Sequence, residues 1–259
     1  MEIENKNVDL NEEKYLFDKE VVCPICGNKF KVSVVKSDAY RTKCKDSDLY
    51  VNYSLINPYF YEVWLCNKCG YASMKSDFEK IKKHEIEIIV KEISPKWSSR
   101  NYPKIFNVNI AIERFKLSLL NNSIIGSKSS RIAMNCLKLA WMYRLLGDVD
   151  IEQSFLKQAL KEFNEAYFKE DFPLYGMDRF TTMYLIGELH RRTGNDTEAL
   201  LQFSNVITNP SAGRKLKDLA ITQKDLIRAK AEAAVAEEDT KNNFTENKEK
   251  KGIFSRFFK

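Results

Sequence analysis

Two cysteine pairs constrain this chain more than any other feature: Cys23-Pro24-Ile25-Cys26-Gly27 and Cys66-Asn67-Lys68-Cys69-Gly70. Two residues between the cysteines let one tight turn aim both sulfurs at a single point. The glycine after each pair can take the left-handed conformation that closes such a turn, leaving backbone N–H groups aimed at the sulfurs. A tetrahedral metal needs four thiolates at about 2.3 Å. Two pairs of the same form therefore predict one site, Cys23, Cys26, Cys66 and Cys69, holding a structural Zn2+. Spacing alone leaves iron in the same cage open. A thioredoxin-like redox pair is the rival reading, but neither pair opens an evident helix in a βαβ setting. Four protein ligands leave no position for water or substrate, so the metal is expected to staple strands rather than to do chemistry.

The segment around the cysteines, residues 1–75, reads as a small β-rich zinc-ribbon-like domain. Phe30-Lys31-Val32-Ser33-Val34 alternates with period two, and so does Tyr59-Phe60-Tyr61-Glu62-Val63-Trp64-Leu65, which runs into the second pair. Asn57-Pro58 before it reads as a turn. Between the pairs lie 39 residues, well beyond the roughly 15–20 of a compact ribbon. The excess predicts an insertion over Lys36 to Asn57, polar and aromatic, with Asp46, Asp48, Tyr50 and Tyr53.

From Ser76 the texture turns helical, and residues 76–237 read as an all-α body, giving an α+β protein. Ser76-x-x-Glu79 has the form of a capping box. Pro95 and Pro103 bracket a break, and helices are expected near 107–121, 131–146, 151–169, 178–193, 196–208 and 213–237. The body repeats itself in the manner of tetratricopeptide helices. Leu139, Ala140, Tyr143, Gly147 and Ala159 fall at that spacing, as do Ile186, Gly187, Gly194, Ala199, Phe203 and the nearby Pro210. Glu152 and His190 depart from it, and Gly147 and Gly194 lie 47 residues apart where the repeat has about 34. Ala111-Ile112-Glu113-Arg114-Phe115 resembles the second helix of another unit. A concave face built this way would present Met134, Leu137, Trp141 and Arg144, then Tyr184, Glu188 and Arg191. Such an aromatic and arginine lining suits an acidic or amphipathic peptide.

Taken together, the pattern resembles an uncharacterised bacterial family, the domain of unknown function numbered 2225. The resemblance rests on Cys23 to Gly27, on Asn57 to Ala72 (Asn-Pro-x-x-Tyr-x-x-x-Cys-x-x-Cys-Gly-Tyr-Ala) and on Gly176-Met177-Asp178 through Tyr184-Leu185-Ile186-Gly187-Glu188-Leu189 to Gly194. It covers roughly residues 15–235 and implies the ribbon and repeat assignments. No activity comes with it.

Composition narrows the function further. The cysteine usage fits a reducing cytoplasm, the N-terminus lacks the form of a signal peptide, and no apolar run approaches a membrane span. The expectation is therefore a cytoplasmic protein. The net charge of +6 gathers in the middle and the tail, which argues against phosphate capture by the cysteine-bearing end through charge alone. Nine glycines and two histidines form no phosphate-cradling loop and no triad. His84 is expected in solvent and His190 packed among helices. No catalytic residue and no small-molecule substrate is indicated. The leading expectation is a non-enzymatic adaptor that binds a protein or peptide. A nucleic-acid-associated factor is the alternative, through the basic and aromatic segment Lys96-Trp97-Ser98-Ser99-Arg100-Asn101-Tyr102-Pro103-Lys104. A thiol-redox protein using Cys44, flanked by Lys43 and Lys45, is the third. Residues 238–259 read as a disordered linker ending in a short basic amphipathic stretch, Ile253, Phe254, Phe257 and Phe258, suited to weak contact with a membrane surface.

Overall fold

Each cysteine pair sits in the turn of a β-hairpin. In the computed structural model, which describes residues 12–254 with side chains through residue 234, β1 (Leu16–Val22) and β2 (Lys29–Val35) pair antiparallel from Leu16↔Val35 to Val22↔Lys29. The second hairpin, β5 (Val63–Leu65) with β6 (Ala72–Met74), encloses the second pair in register Val63↔Met74. Between them the expected insertion forms a third hairpin, β3 (Thr42–Lys45) and β4 (Val51–Tyr53), so the head is three two-stranded sheets. The alternating run from Tyr59 is only partly strand. Pro58–Tyr61 is a 3-10 turn, because Pro58 presets its first φ and the Asn57 side chain accepts from Tyr59 N at 3.1 Å.

Among the described residues seven α-helices follow: α1 (Lys83–Glu92), α2 (Val108–Ile124), α3 (Ser129–Leu146), α4 (Val149–Lys169), α5 (Arg179–Arg192), α6 (Asp196–Thr208) and α7 (Arg214–Phe254). The first begins later than the Ser76 motif suggests. Ser76 instead donates to Asp77, and Glu85 accepts from Lys82 N at 2.7 Å to open α1. Asn107, Asp148, Asp178 and Asn195 each cap a later helix through the side-chain oxygen, which explains why those boundaries were readable. The last helix runs to Phe254, through residues expected to lack structure; that stretch contains no proline and is rich in Glu and Lys, which favour helix. The expected amphipathic tail lies outside the residues whose side chains are described. Among the described residues no helix is long and apolar enough to cross a membrane.

From α2 onward each helix packs on its neighbours in sequence. Gly187 shows how closely: a Cβ there would stand 2.9 Å from the Phe203 ring of α6. The head does not hang from this stack as a separate bead. The largest apolar cluster joins Tyr50, Tyr59, Val63, Leu65 and Met74 to Phe115, Leu137, Leu139, Trp141 and Leu189, across the boundary expected at residue 75. A second cluster seats Ile89 and Ile93 around Cys23, Cys66, Trp64 and Phe78. Lys138 crosses the same boundary, 2.9 Å from Glu62 and over the Tyr59 ring at 4.0 Å.

Candidate metal centre

The two hairpin turns, 40 to 46 residues apart in sequence, bring four sulfurs together. Cys23 Sγ lies 3.6 Å from Cys69 Sγ, Cys26 Sγ lies 3.7 Å from Cys66 Sγ, and all four fall within 4.8 Å of one another. Tetrahedral coordination at about 2.3 Å puts neighbouring sulfurs about 3.8 Å apart, so the cage has the size a zinc-like ion requires. The two turns are built alike. Gly27 N donates to Cys23 O at 3.0 Å and Gly70 N to Cys66 O at 2.9 Å, with both glycines left-handed at φ 67° and 77°. One residue beyond each glycine the hairpin closes, through Cys23 N to Asn28 O at 2.9 Å and Cys66 N to Tyr71 O at 2.8 Å.

Proton chemistry gives a second test of fit. Hydrogen bonding to Cys66 pushes the Cys23 thiol up to about 12, while hydrogen bonds from Cys23 and Cys69 pull Cys66 down to about 2. Cys69 is pushed up in the same way, by Cys23 first and Cys66 second. Protein groups alone thus let one sulfur ionise at the expense of its neighbours. Four thiolates coexist at this spacing only around a cation, and the four cysteines can hold a metal ion. The cage is closed, since the donors are all protein sulfurs and three of the four cysteines are buried.

Trp97, which the nucleic-acid alternative would use to stack bases, packs on the cage. Its ring lies so close over Gly70 that a Cβ there would meet it at 2.7 Å, and its Nε1 donates to Asn67 O at 2.9 Å. Asn67 then exchanges hydrogen bonds with the Arg100 backbone, at 2.8 Å in both directions. Sequence reasoning missed this clip; the available signal was a tryptophan followed by polar residues between two prolines. Cys44 is exposed on β3, outside the cluster. His84 is exposed and His190 half-buried, where burial lowers its pKa.

The concave face holds a different surprise. Met134, Leu137, Trp141, Tyr184 and Glu188 are buried, and Arg144 and Arg191 are mostly covered. The residues converge as expected, but the face is not open, because the turn between β3 and β4 occupies it. Asp48, fully buried, accepts from Trp141 Nε1 at 2.9 Å and Arg144 Nη2 at 2.5 Å. Ser47 Oγ donates to Glu188 Oε1 at 2.6 Å, and Tyr184 OH donates to Ser47 O at 2.9 Å. Glu188 is held in turn by Arg191 at 2.7 Å and Arg192 at 2.9 Å, and Arg144 also pairs with Glu152 at 2.7 Å. Tyr50 and Tyr59 pack on the Trp141 ring, both at 5.3 Å. Burial pushes the Asp48 carboxyl up, but the Arg144 hydrogen bond and charge, aided by Arg192, outweigh it and hold the group below its usual range. The expectation of a free peptide groove lined by these residues is corrected accordingly: Asp46–Tyr50 of the same chain lies where the peptide was placed.

Comparison with curated proteins and with solved structures finds no match to the chain. One family model matches residues 16–227, spanning both hairpin turns and the helices through most of the body. On that extent, the chain belongs to the family described as "Uncharacterized protein conserved in bacteria (DUF2225)".

Proposed function

We propose that this protein is a non-enzymatic interaction protein, in which a structural zinc ion locks the head and a tetratricopeptide-like stack forms the body. The observation that carries the reading is the seating of Asp46–Tyr50 against α3 and α5. The ionisable groups that could have served chemistry in the concave face, Asp48, Arg144, Glu152, Glu188, Arg191 and Arg192, are paired with one another. The metal cage offers no open coordination position either. What the fold offers is a rigid body with a long last helix, and the reading assigns the partner to its outer surface. The closed four-sulfur donor set suits a structural zinc ion, and metal analysis of the purified protein distinguishes it from iron in the same cage.

Crosslinking in the native bacterium, followed by mass spectrometry, tests the reading. The expected result is a protein partner crosslinked through surface lysines of the body, such as Lys157 or Lys161, above the background of an unrelated protein of similar charge. Recovery of no protein above that background would sink the adaptor reading. Nucleic acid recovered instead, with affinity falling steeply between low and moderate salt, would transfer the assignment to the alternative.

A further inference from the structure

Arg114, on α2, is the anomaly among the buried charges. Only 7 % of its surface is exposed. Its Nη2 donates to the Val63 carbonyl at 2.6 Å, and its guanidinium lies over Tyr102 and Phe106, 5.2 Å and 4.7 Å from the ring centroids. The buried Nε has no hydrogen-bond partner, and no carboxylate among the described residues forms an ion pair with it. The other deeply placed cations are matched: Arg144 has Asp48 and Glu152, and Lys138 has Glu62. Burial draws the Arg114 pKa down to about 10 against the opposing pull of Tyr102 and Glu113, and the group stays charged at neutral pH. Glu113 is a carboxylate already engaged by Arg100 and Tyr102 and not in ion-pair contact with Arg114. A buried charge without a counter-ion is a strongly disfavoured arrangement unless an anion completes it.

The surroundings supply the place for that anion. Arg114 lines a cleft of about 400 Å³ between head and body, and the other charged residues lining it are Lys31, Arg100 and Lys104, with no aspartate or glutamate. Arg100 is engaged at the rim by Glu113, which also accepts from Tyr102 OH at 2.9 Å, and Lys104 is engaged by Glu13 at 2.7 Å. Lys31 and Arg114 have no such partner among the described residues.

We propose that this cleft binds a small phosphorylated molecule, with the phosphate set against Arg114 and Lys31 and with Arg100 turning from Glu113 to close on it. A planar guanidinium matches a phosphate with two parallel hydrogen bonds, and several cations suit a dianion better than a single carboxylate. The volume falls in the small-ligand range, roughly 300–1,000 Å³. A polymer is the weaker reading, because Trp97, the ring best suited to stack a run of bases, is turned onto Gly70. The proposal is independent of the adaptor reading.

The metal-loaded full chain is titrated with inorganic phosphate, ribose 5-phosphate, AMP and a short oligothymidylate, by calorimetry and by thermal shift. At least one monophosphate is expected to bind saturably and to raise the Tm with its concentration. Arg114→Met, which keeps bulk and removes charge, is expected to weaken that binding about tenfold or more. Arg100→Ala and the exposed Lys31→Ala are expected to weaken it by smaller factors, and they decide the matter if Arg114→Met does not fold. Inorganic phosphate binding as tightly as AMP would confine the site to the anion; a preference for AMP would extend it over the cleft. The idea fails if no monophosphate binds at millimolar concentration, or if folded Arg114→Met binds unchanged. It also fails if the oligonucleotide binds more tightly than AMP with a steep salt dependence, which would make this face a nucleic-acid surface.

Discussion

Two places in this molecule join distant parts of the chain, and they do so by opposite means. At the cage, two turns of nearly the same build bring four identical sulfurs to one point, where they could hold a metal ion. At the filled groove, Asp46–Tyr50 meets two helices, α3 and α5, through a network of unlike groups that share partners, Asp48 taking both Trp141 and Arg144. The cage depends on something the protein must acquire. The groove is complete in itself. The first kind of junction can be lost without changing a residue, the second only by changing one.

Removing the metal is therefore the largest perturbation available. A four-cysteine site contributes on the order of 10 kcal/mol to the fold around it. Because the main core runs through head and body alike, chelation or Cys66→Ser/Cys69→Ser is expected to lower the stability of the whole chain. Calorimetry should show a single transition moved downward; two separated transitions, with the helices melting at an unchanged temperature, would mean that the head stands alone after all. Asp48→Ala comes next. It leaves Trp141 Nε1 without its buried acceptor and Arg144 with only Glu152 and Asp46, and breaking one side of a buried pair costs about 3–5 kcal/mol. Metal content should stay at one ion per chain in that variant, and a fall in metal content would show the two junctions to be coupled.

Gly70→Ala ought to fall below these, at roughly 1–3 kcal/mol, since it combines a left-handed backbone with a contact of 2.7 Å to Trp97. Trp97→Leu in the same chain should recover part of the loss; denaturant titration of the single and double variants measures it. The smallest effect is the pH dependence of the groove. Asp48 has its pKa lowered by folding, so its contribution is present above the unfolded value of about 3.9 and is lost as pH falls below it toward the folded value. Stability measured from pH 6 down to pH 3 should fall less steeply in Asp48→Asn than in the parent, and equal slopes would remove Asp48 from the account.

The difference between the junctions also explains what the sequence disclosed. Metal ligation forces a local spacing, so Cys23, Cys26, Cys66 and Cys69 announce themselves. Helix period and side-chain caps such as Asp148, Asp178 and Asn195 are equally local, and α2 to α6, with the start of α7, stand close to where the sequence predicts them. The pairing of Asp48 with Arg144 spans 96 residues and leaves no spacing to read. Its trace was indirect: an insertion carrying Asp46, Asp48, Tyr50 and Tyr53 and a helical face lined with Trp141, Arg144 and Arg191 are complementary in charge and shape. The strand expected from Tyr59 erred because the alternation of Tyr59, Phe60, Tyr61 and Glu62 is silent about the Asn57 side chain that bends the chain there.

The seat of Asp46–Tyr50 also sets a timetable for biogenesis. Glu188, which receives the Ser47 hydroxyl, is added 141 residues after it, a delay on the order of 10 s at ordinary ribosome speed. Through the first part of that interval the acidic turn has emerged without Trp141 and Arg144, and to its end it lacks Glu188 and Arg192. The β3–β4 hairpin is thus translated early and seated late, and a ribosome that stalls before α5 releases a chain in which that turn is still waiting for its place.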